Sequence, residues 1–132
     1  MKHILFVCTE NSARSQMAEG FFNFYNKNPE YLAISAGIKP TISVKSSAIE
    51  VMKEKGIDLS KQRPKMLTLE MAKKAHKIYT MGCIESCPLT PPEKTEDWKL
   101  ENPAGGSIGK FREVRDEIER RIKKLISELR LR

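Results

Sequence analysis

From Lys2 to Val7 the chain reads KHILFV, a short and nearly continuous apolar run. Such a run predicts a strand buried on both faces, where alternation is lost. Over Ser15–Tyr25 the apolar residues Met17, Ala18, Phe21, Phe22 and Phe24 cluster at helical spacing, and Asn28-Pro29 closes the segment. Tyr31–Ala36 alternates weakly and stops at Gly37, a second strand. Ser43 suits the cap of a helix over Val44–Lys55, with Ala48, Val51 and Met52 inward and Gly56 at its end. Thr68 opens a shorter helix through Ala75, and Lys77–Met81 forms a third strand. Gly82 to Gly106 is irregular, with four prolines and the lone Trp98, and a fourth short strand is expected near Trp98–Leu100. Ser107 then caps a long helix whose core stripe is Phe111, Val114, Ile118, Ile122, Leu125, Ile126 and Leu129.

Strands that alternate with helices imply an α/β fold with a doubly wound parallel sheet. At 132 residues, without internal repeats or a linker, the chain is expected to form one domain spanning 1–132. Hydrophobic residues make up 39% and charged residues 31%, an ordinary soluble balance, and no apolar run approaches membrane-spanning length. The chain opens directly into a strand, so no signal peptide and a cytoplasmic location are expected. The net charge of +7 suggests an anionic partner, although much of it would decorate solvated helix faces. No recognition helix or aromatic interleaving accompanies it, which argues against nucleic acid. Three cysteines, an odd number, point away from a secreted disulfide framework and towards metal or redox chemistry.

One cysteine stands where such a sheet binds ligands, at the carboxyl end of the first strand. The stretch CTENSARS, Cys8 to Ser15, places an arginine six residues after it. Backbone N–H groups of Thr9, Glu10, Asn11, Ser12 and Ala13 can wrap an oxyanion, and the next helix adds its positive end. Arg14 brings a rigid donor fork for two oxygens of a tetrahedral anion. Those surroundings also favour the thiolate of Cys8, whereas an ordinary thiol is only a few per cent ionised at neutral pH. Cys-x5-Arg in a strand–loop–helix setting therefore reads as a nucleophile site.

The other two thiols are Cys83 and Cys87 in GCIESCP. On a regular helix this spacing sets the Cβ atoms too far apart for a disulfide. Pro88 disfavours helical geometry at Cys87, so a loop or distorted turn that can rearrange into the bridge is expected. Buried packing cysteines, or a zinc site with His3 and His76, remain alternatives, although His3 falls at the wrong end of the first strand.

CTENSARSQMAEG resembles the phosphate-binding loop of the low-molecular-weight protein tyrosine phosphatases, and more closely that of the thioredoxin-coupled arsenate reductases related to them. SAG at Ser35–Gly37, NPAG at Asn102–Gly105 and RDEI at Arg115–Ile118 carry the similarity over nearly the whole chain. The resemblance implies a three-layer sandwich around a four-stranded parallel sheet of order 2-1-3-4. It implies that Asn11 braces the loop and that the Ser15 hydroxyl donates to the Cys8 thiolate. It also implies reduction of arsenate to arsenite: Cys8 forms an adduct with arsenate, Cys83 attacks Cys8, Cys87 attacks Cys83, and thioredoxin or another dithiol reduces the resulting bridge. Phosphate or sulfate would mimic the substrate, no cofactor or metal would be bound, and a monomer is expected.

Two departures accompany this resemblance. Glu10 replaces the usual glycine at the third loop position and is expected to point outward. Asn102 replaces the family's general-acid aspartate; Glu101 could protonate a leaving oxygen, or water or the anion's own proton must serve. Family members often hold a monovalent cation near Asn11, Glu19 and Ser35. Arg63 and Lys65 occupy later positions of that site here, so no potassium site is expected and one of these side chains should place its charge near Glu19. The competing functions are a phosphatase acting on phosphate monoesters through a cysteinyl-phosphate, and an oxyanion or redox sensor.

Overall fold

The computed structural model describes residues 1–82 and 90–130. Four parallel strands, β1 (Lys2–Cys8), β2 (Tyr31–Gly37), β3 (Ala75–Thr80) and β4 (Thr95–Asp97), form one sheet of order β2-β1-β3-β4. The helices are α1 (Arg14–Tyr25), α2 (Ser46–Lys53), α3 (Leu69–Lys74) and α4 (Ile108–Arg130), with a 3₁₀ turn at Pro92–Lys94. Ile4, Phe6 and Ala33 face one side of the sheet and pack with α1, α2 and α4, while Leu5, Val7, Ala36 and Ile78 face the other side with Ala72 of α3. This is the three-layer sandwich of order 2-1-3-4 that the resemblance implied. Both faces of β1 are covered, which is why it reads as an unbroken apolar run.

Aromatic rings fill the larger core layer. Phe6 lies 5.8 Å from Tyr79 and 5.6 Å from Trp98, ring centre to ring centre. The α4 stripe predicted from spacing is buried throughout. Arg115, only 7% exposed, crosses from α4 to α2 and donates to the Val51 carbonyl at 3.0 Å.

Several boundaries differ from those the pattern predicts. The fourth strand is Thr95–Asp97, not Trp98–Leu100. Trp98 still donates its N–H to the Thr80 carbonyl, but Lys99 turns to a left-handed φ of 52° and ends the pairing. Trp98 and Leu100 are apolar because they close the end of the core. The second helix starts at Ser46 rather than Val44, since Lys45 remains extended (ψ 137°) with its N–H held by the Ser12 carbonyl. Ser43 therefore does not cap it. The Thr68 cap does form, its side chain accepting from Met71 N at 3.1 Å. That helix stops at Lys74, because Ala75 is already paired with His3 in the sheet. Phe24 departs from the buried stripe of α1: it is 48% exposed and packs edge-on against Tyr25.

Candidate active site

β1 delivers Cys8 to the carboxyl edge of the sheet, where it pairs with Gly37 of β2. The loop that follows is held from outside by its own carbonyls. Those of Thr9, Glu10 and Ser12 accept from the N–H groups of Lys39, Thr41 and Lys45. The Asn11 carbonyl accepts from the Gln16 amide, and that of Ala13 from Met17 N. In a planar trans peptide the N–H points opposite to the C=O. Five carbonyls turned outward therefore turn the following amides into the concave side, and that is an anion nest. The helix below it begins without a side-chain cap at Ala13, so no cap side chain competes for its first amides.

Gly37 is required by this arrangement. A Cβ there would lie 2.7 Å from the Thr9 carbonyl and 2.9 Å from Asn11 N. Asn11 itself takes the left-handed conformation, φ 51°, which asparagine tolerates better than most residues. It is fully buried and central to a polar network. Its Nδ2 donates to Ser15 Oγ at 2.7 Å, and its Oδ1 accepts from Lys65 N and Gln16 Nε2, each at 2.9 Å. The Gln16 amide also reaches the Arg63 carbonyl, and Gln62 donates back to Gln16 Oε1 at 2.7 Å.

The sulfur of Cys8, 4% exposed, receives the Asn11 N–H at 3.1 Å and lies 2.9 Å from Ser15 Oγ. A thiolate sulfur can only accept, so with Cys8 ionised the Ser15 hydroxyl donates to it while accepting from Asn11 Nδ2. Arg14 lies across the same cavity, 6% exposed. Its Nη1 donates to the Met81 carbonyl at 2.8 Å and the Leu100 carbonyl at 3.0 Å. Among the described residues these are the guanidinium's only bonds, both made by Nη1, which tethers the fork beside the nest. Gly82, at φ 87°, lets the two carbonyl segments meet: a Cβ would lie 2.8 Å from Leu100 N.

The cavity is about 560 Å³ and is lined by Cys8, the loop residues other than Asn11, and Lys45, Gly82, Leu100, Asn102 and Ala104. Glu10 is exposed at its rim. Asn102 Oδ1 accepts from Ala104 N at 3.1 Å, which shapes the Asn-Pro-Ala-Gly turn. Glu101 is not part of the lining. It is engaged by Lys110 at 2.6 Å, and this contact, with a second from Glu113, holds the Lys110 ammonium above its ordinary lysine range. Lys65 Nζ lies 3.7 Å from Glu19 Oε1, which also accepts from Ser35 Oγ at 2.8 Å, so a lysine charge does stand beside Glu19. His3 and His76 sit at the amino ends of β1 and β3, far along the strands from Cys8, and the His76 ring packs on Tyr31. Cys83 and Cys87 lie outside the described residues.

Sequence reasoning missed Gln16, Gln62 and Lys45, and it expected the charge of Arg63 or Lys65 near Glu19 but not the bonds of their backbone to Gln16 and Asn11. A glutamine within an apolar helical stripe was the one available signal for the first of these. Nothing in the pattern marks Lys45.

Fold and loop together define an α/β protein with an oxyanion nest built around a cysteine. The family profile described as low molecular weight phosphotyrosine protein phosphatase matches residues 3–132, and the chain belongs to that family. Among curated relatives, arsenate reductase 2 of Staphylococcus saprophyticus is 41% identical over 125 residues, covering 92% of this chain and 94% of its own. Among solved structures, an arsenate reductase in the phosphate-binding state is 36% identical with a TM-score of 0.85, covering 97% of this chain and 98% of its own. The YwlE arginine phosphatase of Geobacillus stearothermophilus is 30% identical with a TM-score of 0.87, covering 99% and 94%.

Proposed function

We propose that the protein reduces arsenate to arsenite through Cys8, Cys83 and Cys87, and that thioredoxin, or another dithiol, restores the thiols. The observation that carries this reading is the Cys8 sulfur, seated in an anion nest with N–H and O–H donors and backed by Arg14. Such donors stabilise the thiolate, the attacking form. Its sulfur bonds to arsenic(V), one As–O bond breaks, and that oxygen leaves as water after gaining protons. The Cys83 thiolate then attacks Cys8 sulfur. An S–S bond forms, the S–As bond breaks, and its electron pair stays on arsenic, which departs as arsenite. Cys87 next attacks Cys83 and frees the Cys8 thiolate. The Cys83–Cys87 disulfide passes its oxidation to the external dithiol by exchange. The scheme calls for no bound cofactor, and it suits a cytoplasmic setting in which thioredoxin keeps thiols reduced.

The mouth supports the reductase over the phosphatase reading. Ester hydrolysis asks for an acid at the leaving oxygen. Asn102, the mouth residue in the position of that acid, has no proton to give, and the neighbouring Glu101 carboxylate is held by Lys110. The relatives named arsenate reductases point the same way.

The test is thioredoxin-coupled turnover of arsenate by the parent protein and by Cys87→Ser. The variant should deliver about one arsenite per chain and then stop. Full steady-state turnover by the variant would remove Cys87 from the mechanism. Brisk hydrolysis of phosphotyrosine with no arsenate turnover would select the phosphatase instead.

A further inference from the structure

Lys45 stands beside the catalytic loop without an assigned role. Its N–H is bonded to the Ser12 carbonyl at 2.8 Å, which pins its backbone to the outer wall of the nest, and the residue lines the cavity that holds Cys8 and Arg14. Many lysines of this chain are neutralised by carboxylates: Lys55 by Glu119, Lys65 by Glu19, Lys74 by Glu70, Lys110 by Glu101 and Glu113. Lys45 has no such partner among the described residues. Lys45 is half-buried where it lines this anion site, and with no carboxylate bound among the described residues its charge is available to a ligand.

The geometry of attack says which part of the ligand it meets. Sulfur lies at the base of the nest, and displacement proceeds in line, so the bond to be broken points away from Cys8 towards the mouth. Three oxygens of a tetrahedral anion fill the nest and the Arg14 fork. The fourth substituent faces Lys45 and Asn102. In an inorganic oxyanion that substituent is an oxygen carrying charge or a proton. In an organic monoester it is an oxygen bonded to carbon, with its group filling the mouth.

We propose that Lys45 binds the mouth-side oxygen of a free tetrahedral oxyanion and so favours inorganic oxyanions over organic monoesters at this site. This rests on the arsenate reading and names the residue that would set its substrate class. Glu10, exposed on the same rim, is the opposing charge. Its exposure leaves it screened by water, whereas Lys45 is partly withdrawn from solvent.

The test uses inorganic phosphate and phenyl phosphate as non-reducible probes, with binding read by calorimetry on the parent protein, Lys45→Gln and Lys45→Arg. The substitutions leave the Lys45 N–H to Ser12 bond in place, and a thermal melt checks the fold. Lys45→Gln should weaken phosphate roughly three- to tenfold, the size of one half-screened charge contact, and phenyl phosphate by less than about twofold. Lys45→Arg should return phosphate to within about twofold of the parent, and the Gln effect should shrink as salt rises. Equal weakening of both probes would reduce Lys45 to a general field and overturn the proposal, as would unchanged phosphate binding. Arsenate turnover by the parent protein is measured in parallel: its absence alongside the expected probe pattern would sink the reductase reading and leave the oxyanion selectivity of Lys45 standing.

Discussion

Replacing Asn11 by aspartate tests the wiring behind the nucleophile. The two side chains have nearly the same shape, and aspartate also tolerates the φ of 51° found here. Oδ1 keeps its bonds from Lys65 N and Gln16 Nε2, and these donors favour an ionised carboxylate. The change falls on the other branch. Nδ2 now donates to Ser15 Oγ at 2.7 Å, but a carboxylate oxygen there can only accept. Ser15 must turn its proton towards residue 11 and away from the Cys8 sulfur, 2.9 Å from its Oγ. A hydrogen bond to a charged group is worth about 1.5–3 kcal/mol. Losing it, with a negative charge added two hydrogen bonds away, should move the ionisation midpoint of Cys8 upward by about one to two pH units. The assay is the pH dependence of iodoacetamide alkylation in a Cys83→Ser, Cys87→Ser background, so that one thiol reports. Ser15→Ala, which removes the donor without adding charge, should give the smaller rise. A midpoint in Asn11→Asp equal to that of the background protein would refute the wiring.

Arg14→Lys should lower kcat/KM for arsenate by at least about a hundredfold. An ammonium cannot hold the Met81 and Leu100 carbonyls and clamp two substrate oxygens together, and coupled turnover reads the loss. In Gly37→Ala the new methyl meets the Thr9 carbonyl at 2.7 Å, so the loop must shift; phosphate affinity by calorimetry should fall by tenfold or more, beyond any loss of thermal stability. Glu54 takes side-chain hydrogen bonds from Arg112 and Arg115, which hold its carboxyl down at about 2. A depressed carboxyl stabilises the fold above its unfolded value and loses that contribution as pH falls through the folded one. The Tm difference between the parent and Glu54→Gln should therefore be full at neutral pH and shrink between about 4.5 and about 2, and a difference independent of pH would count against the ion pair.

Much of the fold was legible because periodicity is a local property. The α4 stripe and the buried β1 run both follow from which faces are covered. The misplaced elements failed where tertiary contact overrode the local pattern. Trp98 and Leu100 look like strand residues, yet they close a core, and the strand itself, Thr95–Asp97, is polar because it lies at a sheet edge. Ser43 looks like a cap, but the Lys45 tie to Ser12 delays the helix by two residues. The nucleophile was readable because six consecutive residues supply the whole nest. Its support was not, since Gln16 and Lys65 bond Asn11, and Gln62 bonds Gln16, across as many as 54 positions of chain.

The net charge of +7 shows how composition can mislead about partners. Along α4, Arg112 and Arg115 bind Glu54, Arg120 and Arg121 share Glu117, and Lys123 faces Glu119. These pairs compensate locally a large part of the positive charge that the helix carries. In the cavity, by contrast, Arg14 and Lys45 form no ion pair among the described residues, and the loop's backbone amides stand beside them, with Glu10 the opposing charge at the rim. That division has a chemical consequence. Main-chain amides and a tethered guanidinium are fixed before the ligand arrives, so in the proposed reaction little reorganisation remains when charge moves from sulfur to the departing oxygen. A bare cluster of mobile lysines could attract the same anion but would have to reorganise during the reaction. The outward bonding of five consecutive carbonyls is therefore the feature on which the chemistry proposed for Cys8 depends.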